Sequence, residues 1–119
     1  MTDLAKRAVA CRHWRWMPGM LLFDGKSSFT VPISWRHGTE GQRAAPILGS
    51  PMFKNALPDL TDPATVGCLL ALVREAWGDS AAHAVPDGDW HIYGDMPETE
   101  YAIGDTEAEA LVAALEAAP

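Results

Sequence analysis

Cysteine is nearly missing from this sequence: Cys11 and Cys68 are the only two in 119 residues, and they form no Cys-x-x-Cys pair. That excludes a disulfide framework and a thioredoxin-like redox motif, and it fits a reducing cytoplasm in which both thiols are buried as small hydrophobes. Long hydrophobic runs are also missing. No apolar stretch approaches the roughly 20 residues of a membrane helix. The opening "TDLAKRAVACRHW" carries charge throughout, so no secretory h-region is expected. Cations are scarce in the second half. Residues 1–54 hold eight of the nine Lys/Arg against three acids, a net of +5, whereas residues 55–119 hold one Arg against thirteen acids, a net of −12. Segregation this strong implies either docking of the two halves on each other or one basic and one acidic surface.

What is present is an ordinary globular balance, 48% hydrophobic and 21% charged. A chain of this length forms one domain, here 1–119, that buries roughly two-thirds of its unfolded surface without staples. A first helix is expected from about Asp3 to His13, with Thr2 as cap and Leu4, Ala8 and Cys11 as its apolar stripe. Pro18 and Gly19 end it. Trp14 and Trp16, in the extended exit, are expected to close the core while Arg12 and Arg15 point elsewhere. "MLLFDGKSSFTVPISW" reads as a hairpin about Asp24-Gly25, with Pro32 marking an edge or a bulge. Residues 36–60, rich in Gly, Pro and small polar residues, read as a long irregular loop.

"LTDPATVGCLLALVREAWG" has helix punctuation: Asp62 as cap, Pro63 in the first turn, Gly78 past the end, with Val66, Leu69, Leu70, Val73 and Trp77 as the apolar face. A second hairpin about Asp87-Gly88 and a third strand, "ETEYAIG", follow. Tight turns would put Trp90, Ile92, Tyr101 and Ile103 on one face and His91, Tyr93, Glu98 and Glu100 on the other, with His83 opposite Ile92 and facing the core. Thr106 and Glu109 make a capping box for a last helix whose stripe is Ala108, Leu111, Val112 and Leu115. The expected fold class is therefore α+β: an antiparallel sheet of about five strands with three helices packed on it, in the order α-ββ-α-βββ-α.

Chemistry-bearing patterns are thin. His13, His37, His83 and His91 lack ligand spacing, and "DGDWHIYGD" lacks the acid pattern of a calcium loop, so no metal is expected. No nucleophile elbow or phosphate loop is present, and neither an enzyme nor a cofactor is expected. Two binding readings remain. Lys6, Arg7, Arg12 and Arg15 beside Trp14 and Trp16 have the composition of a stacking-plus-phosphate patch for nucleic acid. The acidic half would repel phosphates and instead suits a basic groove on a partner protein. The candidate binding surface is accordingly Arg12, Arg15, Arg36, Arg43, Asp87, Asp89, Asp95, Glu98 and Glu100. A third reading is self-assembly, the basic half of one copy against the acidic half of the next.

The stretches "RAVACRHWRWMPGM", "DLTDPATVGCLLALVREAWG" and "GDTEAEALVAALEAA" together resemble small uncharacterised proteins encoded by tailed phages and prophages. The C-terminal 60 residues are similar in element order and in the alanine-rich closing helix to the phage ABA-sandwich type of domain. The resemblance implies a phage or prophage accessory protein in the host cytoplasm and carries no active residues to transfer. The expected function is protein–protein binding with an unidentified host or phage protein, interfering with a host process or defence. Nucleic-acid binding through the N-terminal segment is the alternative.

Overall fold

A computed structural model describes residues 2–23, 25, 27–31, 56–96 and 99–119. Within them the order is α1 (Thr2–Ala10), β1 (Leu21–Phe23), β2 (Ser28–Thr30), β3 (Leu57–Pro58), α2 (Pro63–Trp77), β4 (His83–Asp87), β5 (Asp89–Tyr93), β6 (Glu100–Gly104) and α3 (Glu107–Ala117). The α+β class and the three helices hold. The single sheet of about five strands does not: there are two three-stranded antiparallel sheets, β2-β1-β3 and β4-β5-β6. The additional strand lies inside the stretch read as loop 36–60. Leu22 pairs with Pro58 and Phe23 with Leu57. A two-residue strand has no period to detect, and Pro58 is tolerated because β3 is an edge strand.

α1 stops at Ala10, three residues short of the expected His13. Backbone bonds from Cys11 N to Ala8 O and from Trp14 N to Cys11 O turn the chain out of the helix. The first hairpin forms where Asp24-Gly25 marks it, but Phe23 pairs with Ser28, so four residues connect the strands instead of two. Gly25 takes the positive φ, +98°, that the connection requires.

α2 is punctuated as its sequence indicates. Asp62 accepts hydrogen bonds at Oδ2 from Thr65 N and Thr65 Oγ1, each 2.9 Å long, and Gly78 closes the helix at φ +63°. An N-cap of this kind is worth about 1 kcal/mol. Thr65 is fully buried yet has no unmet polar group, because its hydroxyl also accepts from Leu21 N at 2.8 Å and so ties α2 to β1. At α3, Thr106 Oγ1 accepts from Glu109 N at 3.1 Å, and the Glu109 carboxylate reaches back to Asp105 N, one residue before the partner of a standard capping box.

α3 lies at the centre. Its Ala108, Ala110, Leu111, Val112, Ala114 and Leu115 are buried, against α1 and α2 on one side and the β4-β5-β6 sheet on the other. Leu69, Leu72 and Val73 of α2, Leu4, Ala5 and Ala8 of α1, Met20, Leu22, Val31 and Leu60 complete the core with Ile92. Leu72 is buried although it lies outside the stripe expected of α2. The glycines divide by what surrounds them. A Cβ on Gly104 would lie 2.6 Å from Ala110 N, so β6 approaches α3 closer than any side chain allows; a Cβ on Gly67, exposed in α2, would meet nothing within 4 Å. Gly67→Ala should therefore raise unfolding stability by about 0.5–1 kcal/mol through helix propensity alone. Gly104→Ala should lower it by about 1–3 kcal/mol through overpacking. Urea unfolding followed by circular dichroism measures both, and equal effects of one sign would contradict this packing.

Candidate functional site

Among the described residues, the β4-β5-β6 sheet packs one of its faces on α3. β4 and β5 pair as His83↔Tyr93, Ala84↔Ile92, Val85↔His91, Pro86↔Trp90 and Asp87↔Asp89. The reversal is centred on Gly88, at φ +74°, one residue tighter than a two-residue Asp87-Gly88 turn. That single step moves His83 from opposite Ile92 to opposite Tyr93. His83 is consequently exposed and does not face the core. On β6 the register shifts between Ile92 and Tyr93, which pair with Ala102 and Glu100 and leave Tyr101 as the extra residue of a bulge. Tyr101 and Ala102 thus both pack on the core, while Ile103, expected beside them, turns outward and is 50% exposed.

The outward face is a small lattice. His83, Tyr93 and Glu100 form one cross-strand row, Val85, His91 and Ile103 the next, and Asp87 and Asp89 the last. The His91 and Tyr93 rings are parallel within 2° at 5.6 Å, and the His83 ring lies 6.2 Å from that of Tyr93. Glu100 Oε1 sits 3.4 Å from His91 Nδ1, and His91 Nε2 is 3.3 Å from the Asp87 carbonyl. No Lys or Arg occurs anywhere in residues 75–119. On this face Ile103, His83, Asp87, Asp89 and Glu100 are exposed, and Val85, His91 and Tyr93 are partly exposed.

Among the described residues, the arginines are engaged elsewhere. Arg7 binds Glu116 through both Nε and Nη2, the shorter contact being 2.6 Å, and this pairing holds the guanidinium pKa above its usual value. Arg15 pairs with Glu75. Arg12 donates to the Ala118 carbonyl at 3.4 Å, and His13 Nε2 lies 3.3 Å from the same oxygen. Trp14 and Trp16 are half-buried against the core and meet edge-on, 84° between planes at 5.4 Å. They offer no pair of parallel rings on which bases could stack, and the Trp14 indole N–H is buried without an acceptor.

Of the candidate surface, then, the structure gathers Asp87, Asp89 and Glu100 on one face and places Arg12 and Arg15 at helix ends away from it. Asp95 is exposed just after β5, its backbone N–H donating to Asp79. Arg36, Arg43 and Glu98 lie outside the described residues, as do His37 and Pro32. The sequence puts His91 and Tyr93 on this face, as observed, but does not show His83, Val85 and Ile103 as its members. Only the turn length and the bulge place them there, and neither has a distinct signature in "DGD" or "TEYAI".

A second cluster anchors the sheet. The Asp79 carboxylate accepts from Tyr101 Oη at 2.7 Å, from Asp95 N at 2.8 Å and from Ala81 N at 3.0 Å. Tyr101 in turn stacks on Trp77, 4.1 Å between centroids, and the Trp77 indole donates to Ala114 O at 2.8 Å. The Tyr101 hydroxyl, followed by the two backbone amides, holds the Asp79 pKa below the usual carboxylate value, and the same bond raises that of Tyr101. Gly94 is required here, since a Cβ would lie 2.6 Å from Tyr101 Oη. Burial pushes the Cys68 thiol up, which disfavours its nucleophilic thiolate. Among the described residues no three His, Cys, Asp or Glu side chains are placed to hold a metal ion, and no helix is long and apolar enough to cross a membrane.

Compared with known proteins, the chain matches no family, no curated protein and no solved structure.

The Asp79 tether has a pH signature. A carboxyl whose folded pKa is depressed contributes stability that is present above its unfolded value and is lost as pH falls through its folded value. The wild-type protein should therefore lose stability below about pH 4, and the gap between it and Asp79→Asn should narrow steadily as the pH is lowered. Urea midpoints of both proteins between pH 6 and pH 2 measure this, and a constant gap would contradict it.

Proposed function

We propose that this protein is a non-catalytic accessory domain that binds another protein through the outward face of β4-β5-β6, as a phage- or prophage-encoded factor acting on a host process would. The observation that carries the reading is the charge arrangement. Arg7 and Arg15 pair within the chain, whereas Asp87, Asp89 and Glu100 surround a strip of half-exposed Ile103 and partly exposed Tyr93 and His91 with no Lys or Arg on the same sheet. Apolar atoms inside a charged rim are how protein interfaces are commonly composed. A partner with a basic surface is complementary to the rim and would be steered toward it. Among the described residues, the pairing of Arg7 with Glu116 and of Arg15 with Glu75 takes two cations away from a contact of basic on acidic halves.

The test compares the wild-type protein with the variant Asp87→Lys/Asp89→Lys/Glu100→Lys as baits in a bacterial host lysate. A partner retained by the wild type at low salt, weakened at about 300 mM salt and lost with the variant is the expected outcome. An identical set of proteins on both baits, or none on either, overturns the reading. Neither duplex DNA nor single-stranded RNA should bind at about 50 mM salt; binding there that Arg12→Glu abolishes would put the nucleic-acid reading in its place.

A further inference from the structure

The outward face has a polarity pattern that goes beyond overall charge. Along β5 its residues are Asp89, His91 and Tyr93, each two positions from the next, so the rows are spaced by roughly 6.6–6.8 Å and the outer two lie roughly 13 Å apart. The first row is acidic, Asp87 beside Asp89. The middle row is Val85, His91 and Ile103, the last of these half-exposed and His91 only 17% exposed at its side chain. The third row sets the Glu100 carboxylate, 40% exposed, on one side of the Tyr93 ring and the exposed His83 on the other. Acid, apolar and acid-plus-aromatic therefore follow one another at the spacing of alternate residues in an extended chain.

Resting on the docking reading above, we infer that this face takes an extended segment of a partner protein with arginines at positions i and i+4 and an apolar side chain at i+2. A segment laid along β5 puts its i+2 side chain over Ile103 and Val85 and its two cations over the acidic rows. Arginine suits both rows better than lysine. Its planar fork matches a carboxylate, and its guanidinium stacks on an aromatic ring, which is what Glu100 and Tyr93 jointly present. His91 Nδ1 is buried and, although near Glu100, makes no hydrogen bond, so it leaves the carboxylate's acceptors to an incoming donor. A second copy of this chain docking through the same face is disfavoured as occupant, since it would bring acid onto acid.

The probes are three acetylated, amidated peptides: GRGLGRG, its lysine counterpart GKGLGKG, and the same residues out of register, GRRGGLG. Each is titrated into the isotope-labelled full chain at about 50 mM salt, with amide shifts as the readout. GRGLGRG should shift Val85, His91, Tyr93, Glu100 and Ile103 and bind about five-fold or more tightly than either control. Glu100→Gln, a substitution at an exposed position, should remove most of that preference while leaving the spectrum folded. Equal affinity of the three peptides at this face overturns the arginine-spacing inference and leaves the docking reading in place. No shift at this face from any of them removes both.

Discussion

The fold depends on how closely α3 can be approached. A helix that touches two other helices and a sheet cannot carry large side chains all round, and α3 does not: Ala108, Ala110 and Ala114 alternate with Leu111, Val112 and Leu115, all buried. The alanines let α1 and α2 come near, and Gly104 lets the end of β6 lie against the α3 backbone. Dense packing of this kind, more than surface ion pairs, sets the stability. The Arg7–Glu116 and Arg15–Glu75 pairs join partners that are more than a third exposed, and such pairs are worth about 0.2–1 kcal/mol each at most.

Those ion pairs matter instead for what they leave uncovered. The sequence segregates charge by half, and folding brings α1 and the segment after it onto α2 and α3, so basic residues are matched with acidic ones from across the chain. Glu75 of α2 and Glu116 of α3 find cations in this way, whereas among the described residues Asp87, Asp89 and Glu100 of the β4-β5-β6 sheet do not. A separation visible along the chain thus becomes, among the described residues, a sheet face that is negative around an aromatic and apolar strip.

Much of this was legible. Each long element announces itself through local chemistry acting over three or four residues: Asp62 and Pro63 before α2, Gly78 after it, Thr106 before α3. The tryptophans at 14 and 16 lie against the core as their place after a helix end requires. What was not legible turns on single-residue steps. Asp87-Gly88-Asp89 reverses with one glycine at its centre, and nothing in three letters distinguishes that from a two-residue turn, yet the step carries His83 out of the core. The Tyr101 bulge likewise exchanges Ile103 for Ala102. A strand as short as Leu57-Pro58 forms because β1 supplies a partner, a long-range cause that local periodicity does not contain. The candidate face was therefore half visible: its acids stood out in composition, and its apolar middle row depended on register.

The placement of α3 also bears on how the chain is made. Residues 107–117 supply the surface on which α1, α2 and the β4-β5-β6 sheet pack, and the contact of Arg7 with Glu116 spans 109 positions. A ribosome releases that surface after every element that needs it. Until then α1, α2 and the β4-β5-β6 sheet lack the surface they share, so the part of the core that they form with α3 closes late.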